Sequence, residues 1–368
     1  MRKLLRSFKR RKLSAKLHLY FGLLLSLPLL VICITGSLLA FQGEFGRVIY
    51  PKHFTNQSSE VVVPLDDIIA SFEGERVVNR VFLPNKHRET IAVMYEGENN
   101  YYFYNSNSGE FQAKMHNLRG IFKEVMILHR TFFIPKIGYD IVGVITFVFW
   151  FFILLSGLWL FWPKKGHFKT KMFRVRKKAF SHTSHKVFGF AFLIPLLVLG
   201  ITGNFFTYSD PYIKLFKWFG PEEKKEVSLP EPTPTSNDYD PSKAASLTTV
   251  WEWIKEQKKQ IPASYSTAFM MRNVATGRPI FVSYENYDDT YGLPKRVRLT
   301  LEAQTGKIIS ENHPEQMSDL RKYTSTIVYL HMGKIGGFGL KLLWFLSGLM
   351  GAWFCISGIR IWMKKRVR

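Results

Sequence analysis

Four apolar runs, each near or above the roughly 20 residues that a helix needs to cross a hydrocarbon core, constrain this chain most. They are Leu17–Phe41, Tyr139–Trp162, Val187–Tyr208 and Gly337–Met363. Within a bilayer every backbone N–H and C=O must find its partner inside the segment, so runs of this length are read as helices. Polar segments near 43–125 and 209–325 separate them. The sequence therefore predicts an integral membrane protein with two extramembrane regions, not a soluble globule.

The charge pattern predicts an orientation. Residues 1–16 carry eight Lys/Arg, residues 163–186 carry nine and residues 360–368 carry five, all without an acid. These clusters account for nearly all of the formal +23. By the positive-inside rule they are cytoplasmic, which puts both termini inside and both polar segments outside. Nucleic-acid binding, the rival explanation of a basic chain, is excluded because the charge sits beside the spans. The first span is expected to be uncleaved. It is long for a signal peptide, has Leu38 rather than a small residue two places before Ala40, and recurs in mid-chain.

The expected organisation is a basic tail (1–16), a first span (17–41) and an outer segment (42–127). An outer histidine segment and second span (128–162) and a basic cytoplasmic loop (163–186) follow. The third span (187–208), a second outer segment (209–325), the fourth histidine segment and span (326–363) and a basic tail (364–368) complete it. Cys33 and Cys355 both fall in apolar runs and read as small packing residues. No C-x-x-C-H occurs, which excludes the usual covalent haem attachment.

The chain also repeats itself. His18, Gly22, Pro28 and Thr35-Gly36 recur at the same spacing as His185, Gly189, Pro195 and Thr202-Gly203. Leu128-His129 corresponds to Leu330-His331, and Ser156-Gly157 to Ser357-Gly358. The outer segments share a strand closed by a glycine turn, Tyr102–Tyr104 into Gly109 and Arg298–Leu301 into Gly306. Each has an amphipathic helix upstream, Leu65–Phe72 and Ala244–Lys259. A Pro- and Glu-rich insert, Gly220–Pro241, reads as an exposed linker. The expected fold is a four-helix transmembrane bundle of two parallel repeats, each with an outer α+β domain, about a pseudo-two-fold axis along the membrane normal.

Such an axis would set His18 against His185 near the inner surface and His129 against His331 near the outer one. Facing imidazoles in a helical bundle suit axial ligation of haem iron. Gly22 and Gly36 fall on nearly the same helical face as His18, as Gly189 and Gly203 do for His185, giving a flat macrocycle or a neighbouring helix room. Trp150, Trp159, Phe149 and Phe151 would line the space between the two sites. Two alternatives stay open: histidines that snorkel to water, and glycines that serve helix packing alone. A zinc or copper site lacks a completing carboxylate or thiolate. His182 stands one turn from His185 and is a substitute ligand, and Arg130 is a partner either for a propionate or for a surface acid.

These residues resemble the PepSY-associated transmembrane family. The likeness is carried by K-L-H-L-Y-F-G at His18, L-H-R at His129, S-H-K-V-F-G at His185, L-H-M-G at His331 and the T-G ends of the odd spans. The turns S-G-E at Gly109 and T-G-K at Gly306 resemble the signature of PepSY domains. The resemblance implies a bacterial inner-membrane protein linked to iron uptake. It also implies b-type haem, in all two groups, on His18, His129, His185 and His331, and outward electron flow to a ferric siderophore or ferric iron. No G-x-G-x-x-G follows a strand, so the reductant would be a quinol or a separate cytoplasmic reductase. Two other readings compete: a non-enzymatic membrane-anchored PepSY protein that binds or restrains a periplasmic partner such as a protease, and an iron or siderophore permease.

Overall fold

The computed structural model describes residues 2–57, 63–72, 76–85, 88–162, 174–221, 241–243, 245–261, 267–273, 278–286, 293, 295–313 and 316–366. Most of the Pro-rich insert and the first part of the basic loop lie outside the described residues. The chain divides into two units: residues 1–41, 124–220 and 323–368, and residues 42–123 and 221–322.

The first unit is helical. It holds α1 (Arg2–Leu24), α2 (Ser26–Ala40), most of α6 (Ile121–Thr131), α7 (Gly138–Val148), a π-helical segment (Phe149–Leu154) and α8 (Leu155–Phe161). Then come α9 (Phe180–Ala191), α10 (Leu193–Phe205), α11 (Ser209–Phe219), most of α13 (Asp319–His331) and α14 (Gly337–Arg366). Two uninterrupted helices, Gly138–Phe161 and Gly337–Lys365, are long and apolar enough to cross a membrane.

The first and third apolar runs are not straight spans. Arg11–Leu24 with Ser26–Ala40, and Lys177–Ala191 with Leu193–Phe205, are each bent by 67°. Each pair counts as a span only if the bend lies within one crossing. The cause is local. Pro28 and Pro195 have no N–H, and their rings collide with the carbonyl four residues back, at Leu24 and Ala191. Those two residues are where α1 and α9 end.

Helix α2 packs on α14 through small residues. The Ser37 hydroxyl donates to the Cys33 and Phe345 carbonyls at 3.0 Å each. A Cβ on Gly351 would lie 2.6 Å from Cys33 Sγ, so that thiol fills the gap a glycine leaves.

The second unit is built on one antiparallel sheet. It holds α3 (Gln42–Ile49), α4 (Pro51–Phe54), α5 (Leu65–Ser71) and α12 (Leu247–Lys259). Its strands are β1 (Val78–Phe82), β2 (Ile91–Tyr95), β3 (Tyr101–Tyr104), β4 (Phe111–Met115), β5 (Thr267–Asn273), β6 (Arg278–Asn286), β7 (Lys295–Leu301) and β8 (Ile308–Asn312). Their order is β4-β3-β2-β1-β5-β6-β7-β8. Instead of one separate domain per half, β1 pairs with β5 (Val81 opposite Met270) and joins the two quartets. Each quartet alone would expose an unpaired edge, and the junction satisfies both.

Period-two alternation sends Val81, Ile91, Val93, Ile280, Val282, Leu299 and Leu301 to one face. There they share a core with Ile68 and Ile69 of α5 and Leu247, Val250 and Ile254 of α12. Helix α12 begins where Ser246 Oγ accepts the Thr249 N–H at 3.0 Å, an N-cap. Gly109 and Gly306 close the β3–β4 and β7–β8 turns with φ of +73° and +69°.

An ion pair ties the halves together, with Lys255 Nζ on α12 donating to Asp66 Oδ1 on α5 at 2.6 Å. The Lys255 hydrogen bond holds the Asp66 carboxyl below its ordinary pKa, and the same bond raises that of Lys255. A lowered carboxylate contributes stability above its unfolded pKa and loses it as pH falls through the folded value. A raised ammonium contributes until pH climbs through its folded value. The pair is therefore at full strength between roughly pH 5 and 9. Asp66→Asn is expected to flatten the fall in melting temperature on acidification below about pH 4, measured against wild type in detergent. An identical acid limb in the variant would remove this pair from the account.

Candidate functional site

Four histidines in the helical unit share one kind of seat, a Ser-Gly or Thr-Gly dipeptide on another helix. His18 of α1 meets Ser156-Gly157 of α8, and His185 of α9 meets Ser357-Gly358 of α14. His129, near the end of α6, meets Thr35-Gly36 of α2, and His331, at the end of α13, meets Thr202-Gly203 of α10. The glycine lets the ring lie against the helix. A Cβ on Gly157, Gly36 or Gly203 would stand 3.1, 3.1 or 3.0 Å from Cε1 of its histidine, and one on Gly358 3.8 Å.

The hydroxyls and carbonyls of these seats assign the tautomer. His18 Nδ1 lies 3.0 Å from the Ile153 carbonyl, within the π-helical segment, and 3.2 Å from Ser156 Oγ. His129 Nδ1 lies 3.1 Å from the Ile32 carbonyl and 3.0 Å from Thr35 Oγ1. A carbonyl oxygen only accepts, so both Nδ1 atoms carry a proton. His331 Nδ1 lies 3.0 Å from Thr202 Oγ1, and His185 Nδ1 2.8 Å from Ser357 Oγ. Those hydroxyls already donate to Val198 and Phe354 carbonyls, so they accept from the imidazoles. All four rings therefore keep the Nε2 lone pair, and no Nε2 makes a hydrogen bond among the described residues. This is the state of a metal-ligating histidine, whose other nitrogen donates to the protein.

Two of the rings meet. The His18 and His185 centroids are 6.1 Å apart with planes at 86°. Two imidazoles flanking one metal ion at about 2 Å per bond give a centroid spacing near 6 Å. His129 and His331 occupy matching Thr-Gly seats on α2 and α10. No group of three or more His, Cys, Asp or Glu gathers among the described residues.

Several expectations need correction. Gly36 and Gly203 lie beyond the 67° bends from His18 and His185. They seat His129 and His331 instead. Gly22 and Gly189 have no atom within 4 Å of an added Cβ. Trp159 and Phe151 are exposed on the helix surface and do not line an interior space. Trp150 is inward, packed on Gly200, and its indole N–H is buried without a partner among the described residues. Phe149 packs on the cluster of Leu29, Ile145 and Ile153. His182 is exposed, whereas His185 takes the seat. The Arg130 guanidinium lies over the Tyr139 ring at 4.8 Å with its Nε buried and unpartnered among the described residues.

Ser156, Ser357, Thr35 and Thr202 were missed as functional residues, although the recurrence of S-G and T-G was a signal for them. None of the curated proteins matches the chain. A family model described as the PepSY-associated TM region runs from residue 15 to residue 365 and takes in every seat, and by that match the chain belongs to this family of membrane proteins.

Proposed function

We propose that the chain is a transmembrane haem-b oxidoreductase that carries electrons across a bacterial inner membrane and reduces ferric siderophore or ferric iron in the periplasm. One observation supports it above the rest: four histidines at repeat-equivalent positions donate through Nδ1 and keep Nε2 uncommitted. We read the helices as a four-helix bundle of two parallel repeats, each contributing strands to PepSY-like outer regions. The basic clusters orient it with His18 and His185 toward the cytoplasm and His129 and His331 toward the periplasm.

In this reading His18 with His185 would hold one haem iron and His129 with His331 a second. A b-type haem supplies reversible one-electron chemistry at its iron. The hydroxyl and carbonyl acceptors hold each ring in one orientation, keep the proton on Nδ1 and strengthen Nε2 as a donor. Gly36, Gly157, Gly203 and Gly358 let the imidazoles approach, and Gly22 and Gly189 leave space one turn beyond His18 and His185. Arg130, with an unpartnered buried Nε, would take an acidic edge of the bound group. Reducing equivalents come from a quinol or a cytoplasmic reductase.

The test is an absorption spectrum of the detergent-purified chain from haem-sufficient cells, oxidised and then dithionite-reduced, with haem quantified per chain. A Soret shift with α and β bands is expected. A colourless protein would overturn the proposal and leave the sheet unit as the working part.

A further inference from the structure

The two strand quartets are alike in register but unlike in chemistry on the face turned away from the shared core. Ala92 pairs with Phe103 and Met94 with Tyr101, and Phe281 pairs with Thr300 and Ser283 with Arg298 in the same positions. The outer strands continue the match, with Phe103 opposite Ala113 and Tyr101 opposite Met115, and Thr300 opposite Ser310 and Arg298 opposite Asn312. Met94, Tyr101, Phe103, Ala113 and Met115 of the first quartet thus become Ser283, Arg298, Thr300, Ser310 and Asn312 in the second.

The first quartet closes this face with apolar contacts. Phe103, Ala92 and Ala113 are buried together with Leu118 over them, and the His53 and Phe54 rings lie 5.1 and 6.2 Å from Phe103. The second quartet instead has a cavity of about 240 Å³ lined by the five polar residues and Phe281. Ser283 is only 1% exposed, yet its hydroxyl has no hydrogen-bond partner among the described residues. A buried hydroxyl lining a cavity without a partner is out of place in a merely structural surface.

We propose that this face is a binding site for a small oxygen-rich carboxylate of the hydroxycarboxylate class. The guanidinium of Arg298 matches a planar carboxylate through two parallel N–H groups. The hydroxyls of Ser283, Thr300 and Ser310 and the amide of Asn312 complement further carboxylate and hydroxyl oxygens. The cavity has room for several times the roughly 30 Å³ of one water, more than a bare inorganic oxyanion fills. The site does not depend on the histidine pairs.

Isothermal titration of the full chain in detergent tests this, with sodium citrate as the probe and inorganic phosphate as the comparison. Saturable citrate binding is expected, weakened about tenfold or more in Arg298→Gln. Ser283→Met, which installs the residue of the matching first-quartet position, is expected to abolish it by filling the cavity. The melting temperature of each variant reports folding, and Arg298→Gln alters an exposed position and carries the test if the methionine variant misfolds. Absence of saturable binding by the wild type, equal affinity in Arg298→Gln, or phosphate binding as tight as citrate would each overturn the assignment. Haem content does not enter the readout, so the result is independent of the redox proposal.

Discussion

If the chain holds two haems as proposed, His331→Ala is expected to remove one, lowering pigment per chain by about half while the remaining spectrum still shifts on reduction. The seat explains the size of the effect. In the proposed site His331 and His129 are the two donors, and a two-donor site that loses one keeps no second protein ligand to hold the iron in place. His129→Ala should give the same loss, because the proposal assigns both rings to one haem. His18→Ala or His185→Ala should remove the other half, and a variant lacking one histidine from each pair should be colourless. Difference spectra and haem stoichiometry on the monodisperse protein make the measurement. Unchanged pigment in both His129→Ala and His331→Ala would refute that pair as a site.

The glycines give the second large effect, and they divide into two kinds. Gly203→Leu is expected to remove the same haem as His331→Ala, since its Cβ alone would stand 3.0 Å from the ring's Cε1 and the rest of the side chain has nowhere to go. That crowding would push the imidazole off Thr202 and break the bond that keeps its proton on Nδ1. A fall in melting temperature should accompany the loss, because overpacking a seated ring costs about 1–3 kcal/mol. Gly189→Leu should behave otherwise. An added Cβ there meets no protein atom within 4 Å, so the apoprotein should melt as wild type does. Haem retention should nevertheless fall, because the larger side chain would intrude where the bound group approaches the helix. Full retention in Gly189→Leu would assign that glycine to the lipid face.

Much of the helical unit was readable from residue order. The four histidines stand out because they recur with neighbours at fixed spacing, and the seats recur as S-G and T-G dipeptides. What could not be read is which dipeptide receives which ring. Thr35 and His129 are 94 residues apart in the chain, and His18 and Ser156 are 138 apart. Helical periodicity projects Gly36 toward His18, but a wheel holds only along a continuous ladder, and beyond the Pro28 bend Gly36 abuts His129. The prolines were visible in the sequence, but the angle they impose was not.

The sheet unit divides in the same way. The β3 and β7 alternation and the glycines at 109 and 306 were readable, because strand period and turn chirality are local. That β1 and β5 would meet and merge two expected domains into one sheet was not, since any free edge offers the same unpaired groups to any partner.

By itself, then, the sequence determined the apolar runs, the basic flanks, the duplication and the choice of imidazole, serine, threonine and glycine at matching positions. These follow from interactions a few residues long. Only the tertiary structure decided which histidine meets which hydroxyl, which ring nitrogen keeps its lone pair, and that Ser283 lies buried without a partner among the described residues, paired in register with Arg298. Those outcomes depend on long-range packing and on whether a buried polar atom finds its partner, and no local periodicity carries that information.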